Sequence, residues 1–195
     1  MGCSLELTGG EFTTIDFETT GSVPGWPNEP WQIGLYRFTL PPVGVCGVAP
    51  RTFSSLLRVS PDRPFNRFAP GRHSQLRSEL AAAPTLAELW EEVAPLLKGR
   101  PLVAHNIGTE RTILRAFAPL DRLGPWIDTL ALSRSLIPGR ASYALEDIVP
   151  DLGLADRVAA LAPGLAPHDA LYDAIACGEL LRHYAGCGLA IVPAG

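Results

Sequence analysis

With 195 residues, 47% of them hydrophobic, the chain has the length and apolar content for one domain with its own core. Twenty acidic residues against sixteen basic ones exclude a uniformly basic nucleic-acid coat protein but leave room for a local basic patch. The nineteen prolines are scattered among apolar segments and read as loop punctuation, not as a disordered tract.

The opening MGCSLELTGG has neither a positively charged n-region nor an apolar h-region, and no window approaches the roughly 18 apolar residues of a membrane span. A cytoplasmic protein with no membrane partner is expected. Cys3, Cys46, Cys177 and Cys187 form no CxxC pair and stand far from the histidines in sequence. Free, mostly buried thiols are expected, rather than a zinc site or a disulfide framework. The apolar stretch Val43 to Val48 and the C-terminal GLAIVPAG are candidate contact surfaces.

Glu11 to Phe17 (EFTTIDF) is β-branched and aromatic enough for a strand, and the Gly- and Pro-rich GSVPGWPNEP after it is a loop. Trp31 to Leu40 and Arg51 to Val59 read as two further strands joined through PPVGVCGVAP, so three sequential strands form an antiparallel meander. The pattern then turns helical. Leu86, Leu89, Trp90, Val93 and Leu97 fall at helical spacing in a helix predicted from Pro84 to Leu97, with Gly99 just past its end. Pro101 to Ala104 is a short buried strand, Thr109 to Phe117 a helix, Trp126 to Asp128 a short strand, Tyr143 to Val149 a short helix and Asp169 to Tyr184 the last long helix. Strands first, then helices interleaved with two more strands, describe a single α/β domain with a mixed sheet.

Asp16 and Glu18 stand two apart at the end of the first strand, so their side chains share a face. Adjacent carboxylates repel unless a proton or cation neutralises them, and oxygen-only ligands select magnesium or manganese. By itself such a pair is most often a solvated turn. Two later segments change the weighing: His105-Asn106-Ile107-Gly108-Thr109-Glu110 after the short buried strand, and His168-Asp169-Ala170-Leu171-Tyr172-Asp173 near the C-terminus. In order, DFETTG, LVAHNIGTERTIL and HDALYDA resemble the three motifs of the DEDDh 3′–5′ exonucleases, the branch that includes the proofreading epsilon subunit of bacterial replicative polymerase. PWQIG, APTLAEL, IDTLALSR and YALEDIVPDLGL extend the resemblance between the motifs, over residues 11 to 185.

The resemblance implies a ribonuclease H-like α/β fold with a five-stranded mixed sheet flanked by helices. It places an exonuclease domain at 11–186, between an N-terminal extension at 1–10 and a C-terminal tail at 187–195. It also implies two Mg2+ or Mn2+ ions held by Asp16, Glu18, Glu110 and Asp173, and His168 as general base for the attacking water. An imidazole suits that role because it exchanges protons near neutral pH. His168 and Asp173 are five apart, about 140° around a helix, so the histidine is expected on the loop before the helix, just after Pro167. Thr19, Thr20, Gly21, His105, Asn106, Arg72 and His73 are the candidate substrate contacts, and Asp128 is read as structural.

Two positions depart from the family pattern: Glu110 replaces the usual aspartate, and Thr109 the usual aromatic before it. Glutamate keeps the oxygen ligand and the charge and adds one methylene, so retained activity is the expectation. The substrate reading is a single-stranded or frayed 3′ end of DNA. The alternatives are an exoribonuclease of ribonuclease T or oligoribonuclease type, and a weakly active end-binding module serving a polymerase or DNA-processing complex. Six arginines against one acid between Arg51 and Arg77, with Phe65 and Phe68 interleaved, are the expected track for the strand.

Overall fold

The structure, a computed structural model, describes residues 10–40 and 49–187. Cys3, Cys46, the Val43 to Val48 stretch and the C-terminal GLAIVPAG lie outside them. Strands β1 (Gly10–Thr19), β2 (Pro30–Leu40) and β3 (Arg51–Leu56) form the expected antiparallel meander. Strands β4 (Leu102–Ala104) and β5 (Trp126–Asp128) add to the other side of β1 in parallel, giving one five-stranded mixed sheet in the order β3-β2-β1-β4-β5. The helices are α1 (Arg77–Ala82), α2 (Trp90–Leu97), α3 (Gly108–Phe117), α4 (Thr129–Leu136), α5 (Leu145–Asp151), α6 (Ala155–Leu161) and α7 (Ala170–Gly186).

The sheet is buried on both faces. Phe12, Tyr36, Phe38, Val103 and Ile127 pack against α5, α6 and α7. Ile15, Phe17, Ile33, Leu35, Leu102 and Trp126 pack against α2 and α3 on the opposite face. Each such side chain, withdrawn from water, contributes about 1.5–3 kcal/mol of hydrophobic stabilisation before entropy is counted. Small residues set the approach of α7 to the sheet. A Cβ on Gly34 of β2 would lie 2.2 Å from the carbonyl of Ala170, and one on Gly178 would lie 2.6 Å from the Tyr36 ring.

The helix predicted from Pro84 starts later, at Trp90: Thr85 and Glu88 form a capping box, but the turn after it is not α-helical, the Trp90 N–H reaching back three residues to the Ala87 carbonyl at 3.3 Å. Glu88 accepts from the Thr85 backbone N–H at 2.7 Å and from its hydroxyl at 2.9 Å, and the Glu88 N–H donates back to Thr85 Oγ1. β3 ends at Leu56 instead of Val59, since Arg58 and Val59 turn their N–H groups away from β2 to the carbonyls of Pro84 and Leu80. Cys177 is buried as expected, whereas Cys187 is exposed. Among the described residues no helix is long and apolar enough to cross a membrane.

Candidate active site

The carboxyl ends of the parallel strands β1, β4 and β5 meet at one edge of the sheet, where open α/β sheets place their ligand sites. Phe12 and Thr14 of β1 face the α7 layer, the Thr14 hydroxyl donating to the Ala174 carbonyl at 2.6 Å. The pleat therefore turns Asp16 and Glu18 toward α7. Asp173 comes from the first turn of α7, and Glu110 from the first turn of α3 in the opposite layer. Asp16, Glu18, Glu110, His168 and Asp173 all line one cleft of about 340 Å3.

His168 occupies the loop before α7 with φ +66°, a left-handed backbone that few non-glycine residues adopt. Its backbone N–H donates to Asp173 Oδ2 at 3.0 Å, and its Nε2 stands 3.2 Å from Glu146 Oε2. One ligand atom from each of Glu18, His168 and Asp173 lies within 4.8 Å of the others. Asp169 caps α7 through the Leu171 N–H at 3.1 Å and accepts from Gln32 Nε2 at 3.0 Å. Gln32 Oε1 in turn accepts from the Ala170 N–H at 3.4 Å. One amide on β2 thus grips both the cap and the first turn of the helix that carries Asp173.

The carboxylates are held at close quarters away from water. Burial, then the charges of Asp173, Glu110, Glu18 and Asp169, hold Asp16 well above the usual carboxylate range. Burial, with Asp173 and Asp169 adding repulsion, pushes Glu18 up to about 8. Burial pushes Glu110 to about 7 and Asp173 to about 6, against opposing backbone N–H groups. Glu110 Oε2 is buried with no hydrogen-bond partner among the described residues. An orphaned buried oxygen amid mutually repelling carboxylates fits divalent cations, which would satisfy the oxygen and neutralise the cluster.

A pH-dependent stability follows. Glu18, Glu110 and Asp173 keep protons in the folded state that the unfolded chain sheds near pH 4, so metal-free stability falls as pH rises from about 4 to about 8. Thermal melts in EDTA should give a lower Tm at pH 8 than at pH 5, and Mg2+ should raise Tm more at pH 8. Glu110→Gln should raise the EDTA Tm at pH 8 above wild type; a Tm unchanged by that substitution would refute the repulsion argument.

Of the candidate substrate contacts, Thr19, Gly21, His105 and Asn106 line the cleft. The His105 ring is already engaged, Nδ1 at 2.9 Å from Thr129 Oγ1 and Nε2 at 2.7 Å from the Tyr143 carbonyl. Asn106 has φ +74°, with its N–H donated to Asp128 Oδ1 at 3.0 Å. Asp128 also caps α4, consistent with the structural role read for it.

Three candidates point elsewhere. The buried Thr20 hydroxyl is taken up by the Glu29 N–H and by Arg63. Arg72 stands 3.6 Å from Asp169 Oδ2, and His73 stacks on Phe65 at 4.6 Å between centroids.

Half of the expected arginine track is committed to the fold. Arg63 is only 1% exposed, bonded to Pro27, Pro64 and Thr20 and paired with Glu29. Arg58 binds Ala83 and Glu88, and Arg77 binds the carbonyls of Pro61 and Arg63. The remainder of this loop supplies a cleft wall: Phe68, 77% exposed and already expected along the strand's track, with Asn66, Ala69 and Pro70, which sequence reasoning missed. Gly21 makes the wall fit, since its φ is +71° and a Cβ there would strike Asn66 at 2.8 Å. Glu146, beside His168, was also missed; no spacing signal marks it.

The exonuclease family profile matches residues 13–181. A DNA polymerase III subunit epsilon-like protein of Rhodobacter capsulatus is 30% identical over 171 residues, covering 86% of this chain but only 23% of that protein's length. DNA polymerase III subunit epsilon of Treponema pallidum is 29% identical over 175 residues, covering 87% of this chain and 74% of the relative. Among solved structures, the nuclease domain of 3′hExo, a DEDDh family member bound to rAMP, superposes with a TM-score of 0.69 at 15% identity, over 95% of this chain and 96% of the other. The five-stranded mixed sheet flanked by helices is thus the fold of such exonucleases. The chain belongs to the exonuclease family.

Proposed function

We propose that the chain hydrolyses phosphodiester bonds at single-stranded or frayed 3′ ends of DNA, with an exonuclease domain spanning residues 11–186. The observation that supports this best is the convergence of Asp16, Glu18, Glu110 and Asp173 on one cleft beside His168. These carboxylates would hold two Mg2+ or Mn2+ ions, with the orphaned Glu110 oxygen as one ligand atom. Bound there, the ions would supply positive charge against the scissile phosphate and ease the deprotonation of water.

The chain's own groups do the rest. His168 takes the proton of the attacking water, and its fixed backbone keeps the ring over the cleft. Gly21 and Thr19 at the end of β1 offer close backbone approach to the terminal nucleotide. The exposed Phe68 ring offers a base a stacking face.

The test is end-labelled DNA and RNA single strands incubated with Mg2+, Mn2+ or EDTA. DNA should shorten from its 3′ end with either metal and stay intact in EDTA. Shortening of RNA alone would replace the DNA reading with the exoribonuclease one. No shortening of either polymer would leave an end-binding module of a polymerase or DNA-processing complex. Glu110→Asp should leave turnover little changed; a large gain would show that the natural glutamate detunes the site.

A further inference from the structure

A second concavity lies beside the cleft, along the outer face of α3. Its volume is about 370 Å3, and Arg111, Leu114, Arg115, Arg122, Leu123 and Trp126 line it. The acid at its rim, Asp121, is already neutralised by Lys98 Nζ at 2.9 Å. Arg115 and Arg122 are exposed and make no hydrogen bond or ion pair to any described residue. Arg37, Arg58, Arg63, Arg72, Arg140, Arg157 and Arg182 are by contrast each paired with a carboxylate, and of the other arginines without such a pair Arg67 and Arg134 lie over the rings of Phe68 and Tyr143. Two unpartnered guanidiniums on one concave surface call for an anion.

We infer that this groove takes the phosphate backbone of the single strand upstream of the 3′ end that sits in the cleft. The inference rests on the exonuclease reading above and names a further part of the path its substrate follows. Thr109 and Glu110 line the catalytic cleft and Arg111 lines the groove, so consecutive residues of α3's first turn join the two concavities. Arg115 lies five residues, about 7.5 Å, along α3 from Glu110 of the cleft, close to the rise of two nucleotides at about 3.4 Å each. The groove floor is already withdrawn from solvent, with Leu114 1% and Trp126 7% exposed. An apolar anchor from a protein partner would gain little contact there, whereas guanidiniums fit successive phosphates.

The experiment measures binding of fluorescent dT30 to the full chain in EDTA over a salt series, and hydrolysis of dT4 in Mg2+. Arg115→Glu/Arg122→Glu should weaken dT30 binding at least about tenfold. Arg115→Gln/Arg122→Gln should reduce the slope of log affinity against log salt by about 1.4, the loss of two single-strand phosphate contacts. Hydrolysis of dT4, which at about 3.4 Å per nucleotide reaches no further than the near end of the groove, should fall less than dT30 binding. Affinity for dT30 within twofold of wild type, or an unchanged slope, would overturn the inference and leave the groove to an acidic protein segment. An equal loss on dT4 would also overturn it, by placing the damage in the cleft. Failure of the wild type to cut dT4 would count against the exonuclease reading alone, because the binding measurements in EDTA still decide the groove.

Discussion

Asp16→Asn should give a folded protein with about a thousandfold less turnover on single-stranded DNA in saturating Mg2+. Asp16 is the residue on which the other three carboxylates act, each raising its proton affinity, so it lies at the electrostatic centre of the cluster. An amide keeps the shape and removes the charge. Charge stabilisation by bound cations is worth several kcal/mol, and 1.4 kcal/mol is a factor of ten in rate. His168→Ala should fall less far, about a hundred- to ten-thousandfold, because it removes one proton transfer and leaves the carboxylates in place. The contrast separates roles: Asp16→Asn should also lose the Mg2+-dependent rise in Tm, whereas His168→Ala should keep most of it. Full activity in either variant would refute the site assignment.

The second large effect is Gly34→Ala, which should lower stability by about 3 kcal/mol and Tm by about 10 °C. The new methyl would lie 2.2 Å from the Ala170 carbonyl and 2.3 Å from the Leu171 nitrogen. Those are backbone atoms, with no side chain to swing aside, so the start of α7 must lift away from β2. Gln32 would lose its grip on Asp169 and Ala170, and Asp173 would move with the helix. Activity should therefore fall by about a hundredfold even where the protein is still folded, the usual cost of a 1 Å misplacement. Gly178→Ala meets the edge of the Tyr36 ring, at 2.6 Å, farther from the cleft. It should cost stability with a smaller loss of turnover in the surviving folded protein. Equal activity losses in the two variants would refute the positioning argument.

The two substitutions also show what a sequence can and cannot yield here. Asp16, Glu18, Glu110, His168 and Asp173 were legible because their chemistry depends on residue type and on short spacings within three segments. β-Branched and aromatic content announced β1, and 3.6-residue spacing announced α2, though not its first residue. The six residues of α1 and seven of α6 are too short for such a period to stand out. Arg63 misled because an arginine in a basic loop reads as surface charge. Its place between Thr20, Pro27 and Glu29 depends on a fold in which distant loops meet. The cleft wall at Asn66, Ala69 and Pro70 was hidden for the same reason. QIG could be quoted as a resemblance, but why Gln32 and Gly34 stand two apart is visible only where α7 crosses β2.

The order in which the chain is made bears on its safety. Asp16 and Glu18 are synthesised first, Glu110 later, and His168 and Asp173 last, in the loop before α7 and in the first turn of that helix, which closes over β1 and β2. A nascent or stalled polypeptide ending before Pro167 holds three of the four carboxylates and lacks both His168 and Asp173. Under the proposed function the cluster is therefore completed only with the finished domain, and a chain truncated before Pro167 should not shorten single-stranded DNA in Mg2+.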